Sequence, residues 1–74
     1  VRVARRLPLE GLRRFNAAIR RARAALGRRG RVFVRYSGTE PLLRILVEAP
    51  ERRSVLRFAG EIARSYIDDA RSAS

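Results

Sequence analysis

Gly30-Arg31-Val32-Phe33-Val34-Arg35-Tyr36-Ser37-Gly38-Thr39-Glu40-Pro41-Leu42-Leu43-Arg44-Ile45-Leu46-Val47-Glu48 sets two short apolar runs on either side of a polar loop. Runs of β-branched and aromatic residues bounded by Gly, Ser and Pro predict two strands joined by a turn. Side chains alternate across a strand, so Val32 and Val34 share one face, as do Leu43, Ile45 and Val47, and these form the expected inner set. Arg35, Arg44, Leu46 and Glu48 fall on the opposite parity. A sheet covered on one side leaves Phe33 and Leu46 to a partner domain or to solvent.

Working outward, Leu12, Phe15, Ile19, Ala22 and Leu26 recur at steps of three and four, which predicts one apolar helical stripe with arginines opposite. Pro8 and Gly11 restrain its entrance and Gly27 offers the stop. A second helix is expected after Pro50, with Val55, Ala59, Ile62 and Tyr66 as its buried stripe and Phe58 at the border. Gly60 costs about 1 kcal/mol of helix propensity, which points to close packing there. The alternation Val1-Arg2-Val3-Ala4-Arg5 reads as an opening strand, and residues 68–74 as a frayed tail. The predicted fold class is α+β in the order β-α-β-β-α: a small antiparallel or mixed sheet with two helices packed on one face. Residues 1–74 make one domain, and the absent start methionine reads as a piece excised from a larger chain.

With 74 residues the core is small, but a hydrophobic share of 46% argues for a folded chain. Cysteine and histidine are absent, which removes disulfides, thiolate metal sites, zinc binding by histidine and imidazole base catalysis. No apolar run reaches the roughly 18 residues of a membrane helix, so no membrane partner is expected. The net charge of +11 comes from 18 basic residues, all arginine, against 7 acidic ones. Such an excess suits a solvated face, a partner domain or a nucleic-acid surface.

The loop carries the chemistry. Ser37 and Thr39 offer hydroxyls, Gly38 lets the backbone turn amides inward, and Pro41 stiffens the exit and biases Glu40 toward extended backbone. Arg35 and Arg44 supply planar forks that match phosphate oxygens. From spacing alone, an anion site and a plain polar turn both remain open. No complete enzyme site is visible: a lone Glu40 or Glu48 beside arginine makes a poor general acid, and no aspartate cluster can hold magnesium. Gly27-Arg28-Arg29-Gly30 has the composition of a nucleic-acid backbone clamp, but a strand follows it where that clamp needs a helix, so it reads as a helix stop and tight connection. RNA-recognition sheets also carry stacking aromatics, and only Phe33, with Tyr36 at its end, stands on these strands. A small basic nucleic-acid-binding module is thus an alternative reading, and nucleic acid is not among the expected partners.

The stretch Gly30 to Glu48 resembles the phosphate-binding loop and flanking strands of the alpha-D-phosphohexomutases, in their bacterial phosphoglucosamine mutase branch. The family pattern is an arginine, one variable residue, Ser-Gly-Thr-Glu-Pro and a following arginine, present here from Arg35 to Arg44. Gly38 favours this branch over a phosphomannomutase or phosphoglucomutase domain, the alternative reading, where asparagine is common. Arg6-Leu7-Pro8-Leu9 and the helix after it are similar to the same C-terminal domain, the fourth of that enzyme. Tyr36 departs from the frequent proline, which bears on loop rigidity. The resemblance implies that Arg35, Ser37, Gly38, Thr39 and Arg44 hold the substrate phosphate, with Glu40, Pro41 and Tyr36 in support. It implies as partners a phosphosugar or inorganic phosphate and the other domains of the same chain. The implied activity of the full-length enzyme interconverts glucosamine 6-phosphate and glucosamine 1-phosphate in the bacterial cytoplasm, for cell-wall precursor synthesis. Its Mg2+ and phosphoserine would lie outside these residues, so the fragment alone is expected to bind neither metal nor cofactor and to be inactive.

Overall fold

The computed structural model describes residues 1–73. A 3-10 turn at Leu9–Gly11 leads into helix α1, Arg13–Leu26, and a second at Gly27–Arg29 leads into strand β1, Arg31–Tyr36. Strand β2, Leu43–Glu48, returns antiparallel to β1, and helix α2, Arg52–Ala73, closes the chain. The opening segment adds a single antiparallel bridge, Arg2 with Leu42, on the free side of β2. Leu43 N–H donates to the Val1 carbonyl at 2.7 Å, and Val3 N–H donates to the Pro41 carbonyl at 2.9 Å. The expected first strand is therefore one bridge long, because its partner gives way to the loop at Pro41.

Both helices cover one face of the hairpin. Val32 opposite Val47, Val34 opposite Ile45 and Tyr36 opposite Leu43 point into the core, while Arg31 with Glu48, Phe33 with Leu46 and Arg35 with Arg44 occupy the outer face. Phe33 and Leu46 keep 50% and 53% of their surface exposed, as their parity predicts. From α1, Phe15, Ala18, Ile19 and Ala22 are buried; from α2, Phe58, Ile62 and Tyr66. Burying a side chain of this size contributes about 1.5–3 kcal/mol, so the small core depends on each large residue.

Three further details differ from expectation. Phe58 sits at the centre of the α2 stripe, in line with Ile62 and Tyr66 at four-residue steps, while Val55 and Ala59 are half-buried at its edge. Gly60 is not at a close approach: a Cβ there would meet only the Arg64 guanidinium, at 3.8 Å. Residues 68–73, expected to fray, are helical, and the Asp69 carboxylate accepts the Phe15 N–H at 2.8 Å. Leu12 caps α1 without a side-chain bond, so a carboxylate from α2 serves one of the helix's orphan amides. Ser74 lies outside the described residues.

The Gly27-Arg28-Arg29-Gly30 connection needs its glycines for two different reasons. Gly27 has φ 61° and gives its N–H to the Arg23 carbonyl, ending α1. Gly30 has ordinary extended backbone, but a Cβ would lie 2.3 Å from Leu26 Cβ. This matches a helix stop and tight connection.

Candidate functional site

The loop spans Ser37 to Leu42 at the closed end of the hairpin, where β1 turns into β2. Ser37 N–H donates to the Leu42 carbonyl at 2.8 Å and closes its neck. Ser37 is the one buried polar residue among those described, and its hydroxyl oxygen accepts the amides of Thr39 at 3.3 Å and Glu40 at 3.2 Å. This local turn shapes the loop from inside, and the hydroxyl still carries a hydrogen for donation. Gly38, Thr39, Glu40 and Pro41 are exposed. Gly38 has no positive φ, and an added Cβ would meet nothing within 4 Å. Neither backbone strain nor packing within this chain requires glycine there.

Arg35 and Arg44 are direct cross-strand partners on the outer face, one residue from the ends of their strands. Like charges placed opposite each other repel. Glu40 relieves Arg44 only partly, at 3.9 Å with both side chains more than half exposed, where an ion pair contributes little. The Arg35 guanidinium has no ion-pair or hydrogen-bond partner among the described residues. The arginines, the Gly38 backbone and the Thr39 hydroxyl thus lie at one end of one hairpin.

Tyr36 takes the opposite parity and points to the helices. Its hydroxyl donates to the Leu7 carbonyl at 2.6 Å and shares a 2.9 Å bond with the Tyr66 hydroxyl, whose ring also stands edge-on to Phe15. Burial, and then the Tyr66 bond, push the Tyr36 phenol well above its ordinary value. In place of a stiff ring, the loop entrance is anchored by hydrogen bonds. Tyr36 is also withdrawn from the outer face, where a base-stacking surface would need it, leaving Phe33 alone there.

A further group was not read from the sequence. The Arg6 guanidinium donates to the Ser37 carbonyl, and with Val3, Ala4 and Arg5 it lines a shallow groove of about 420 Å³ shared with Thr39, Glu40 and Pro41. No local signal links Arg6 to a residue 31 positions away. Among the described residues no group of His, Cys, Asp or Glu could hold a metal ion, and no helix is long and apolar enough to cross a membrane.

The chain is similar to the phosphoglucosamine mutase of Bdellovibrio bacteriovorus, 50% identical over 62 residues that cover 84% of this chain and 14% of the relative. It is 43% identical over 72 residues to that of Methylobacillus flagellatus, covering 97% of this chain and 16% of the relative. Against that of Thioalkalivibrio sulfidiphilus it is 55% identical over 56 residues, covering 72% and 12%. The chain spans about one seventh of the length of these relatives. No solved structure matches it. The family described as "Phosphoglucomutase/phosphomannomutase, C-terminal domain" matches residues 1–65, from the opening bridge through most of α2 and including the whole loop, and the chain belongs to that family.

Proposed function

We propose that this domain grips the phosphate of a phosphosugar for a phosphoglucosamine mutase, the enzyme that interconverts glucosamine 6-phosphate and glucosamine 1-phosphate. The observation that carries the reading is the Arg35 and Arg44 pair: two cations side by side, one of them unpartnered, beside a glycine that the fold does not need. A dianion removes their repulsion and takes up both forks. Gly38 leaves room for an oxygen to approach the backbone, and the Thr39 hydroxyl adds a donor. Arg35, Ser37, Gly38, Thr39 and Arg44 form this clamp; Glu40 orients Arg44, Pro41 holds the loop exit and Tyr36 its entrance.

The clamp binds and orients; it does not transfer. Among the described residues none groups into a magnesium site, and in this reading, which follows the family resemblance, Mg2+ and the phosphoserine that carries the exchanged phosphoryl group sit on other domains of a longer, cytoplasmic bacterial protein. A clamp on the phosphate already present lets the sugar present either of its ends to that phosphoserine. Drawing the domain over the ligand keeps water from the activated group.

Titration of the 15N-labelled chain with glucosamine 6-phosphate or inorganic phosphate tests this. Shifts are expected within residues 35–44; shifts centred on Arg20 to Arg31, or tight binding of short RNA with steep salt dependence, would reject the clamp in favour of a nucleic-acid surface. In the full-length enzyme Arg35→Ala is expected to lower kcat/KM chiefly through KM, and unchanged kinetics at limiting substrate would contradict the assignment.

A further inference from the structure

The opening segment runs as a strap across both legs of the loop. Val1 and Val3 pair with Leu43 and Pro41 on one leg, and Arg6 and the Leu7 carbonyl bind Ser37 and Tyr36 on the other. Three of these four contacts pair backbone with β2 or the loop exit, or anchor a ring. Among the described residues of the strap, Arg6 is the one whose side chain reaches a main-chain atom within the loop.

The atom it reaches matters because of peptide geometry. The Ser37 carbonyl and the Gly38 N–H belong to one planar trans unit, so they point in opposite directions. Holding the oxygen toward the strap turns the Gly38 N–H away from it, and that N–H has no partner among the described residues. Glycine places little steric restraint on its own φ, so the 37–38 peptide can flip at low cost unless something holds it. A flipped unit would offer an anion a carbonyl oxygen in place of a donor.

We propose that Arg6 is a positioning residue of the phosphate clamp, locking the Ser37–Gly38 peptide so that the Gly38 amide, and not the Ser37 carbonyl, meets the phosphate. This rests on the phosphate-clamp reading and specifies which backbone donor it uses. Arg6 acts through the peptide, with its charge tied to the carbonyl.

In the wild-type chain, titration with inorganic phosphate is expected to move the Gly38 amide proton downfield together with the Arg35 Nε–H signal. If Arg35 responds and the Gly38 amide does not, the proposal falls while the clamp stands; if neither responds, the clamp itself falls. That measurement holds whether or not any variant folds. Arg6→Ala is expected to abolish the Gly38 response, to weaken phosphate binding about tenfold and to raise KM in the full-length enzyme with kcat little changed, the effect of one lost charge-assisted donor. Arg6→Lys, which can still donate to the Ser37 carbonyl, should recover to within about threefold of wild type. An Arg6→Ala chain that keeps the Gly38 response and wild-type affinity would overturn the proposal, as would an Arg6→Lys chain that folds normally yet binds no better than Arg6→Ala.

Discussion

Replacing Arg35 by alanine should have opposite signs with and without phosphate. Arg35 and Arg44 face each other across the hairpin on its exposed side, with Glu40 3.9 Å from Arg44 alone. Opposed side chains begin about 5 Å apart, so two unit charges in water repel by about 0.8 kcal/mol. Physiological salt screens roughly half of that, and alanine's lower strand preference takes back a few tenths of a kcal/mol. In buffer free of phosphate and sulfate, Arg35→Ala should therefore unfold within about 0.5 kcal/mol of wild type, and its relative stability should improve as salt is lowered. Phosphate at ten times its dissociation constant should stabilise wild type by about 1.4 kcal/mol. For a domain of this size that corresponds to a rise in Tm of about 6–11 °C, against less than about 2 °C for the variant. Thermal melts followed by circular dichroism, with chloride at matched ionic strength as control, give both numbers. Equal phosphate-induced shifts in the two proteins would refute the role of Arg35 as a clamp. A loss above about 1.5 kcal/mol without anion would refute the repulsion argument instead.

Four further outcomes can be checked by the same melts and by urea titration. Gly60→Ala should stabilise by about 0.5–1 kcal/mol, since α2 gains helix propensity and the new Cβ meets only Arg64. Gly30→Ala should cost about 1–3 kcal/mol, because its Cβ would overlap the Leu26 side chain; a neutral effect would mean that the connection relaxes freely. Asp69→Ala should cost about 1–2 kcal/mol by stripping the Phe15 amide of its acceptor, and no change would indicate that the end of α2 does not hold α1. The Tyr36 phenol is raised in the folded chain, so its contribution is fully present below the ordinary tyrosine value near 10 and is lost as pH climbs beyond that. Stability should fall above about pH 10, and the fall should be smaller in Tyr36→Phe; equal pH profiles would contradict this.

Periodicity determined much of this protein before any tertiary contact was known. Alternation alone separates Val32, Val34, Ile45 and Val47 from Phe33, Arg35, Arg44 and Leu46, since neighbouring side chains on a strand must point to opposite faces. The three-to-four spacing from Leu12 to Ala22 names the buried side of α1 in the same way. The candidate loop was equally legible as a polar turn between two strands, because Arg35 to Arg44 span ten residues and the hairpin brings its ends together. What the tertiary structure decided is the set of contacts that periodicity does not encode. The rotation of α2 places Phe58 inside and Val55 at the edge, a choice made by packing against α1 and the sheet. Asp69 on Phe15, Tyr36 on Tyr66 and Arg6 on Ser37 each join a polar group to one about thirty or more residues away. A polar side chain leaves no repeating trace of its distant partner in sequence, since a single directional bond forms only where the packed elements happen to bring donor and acceptor within reach.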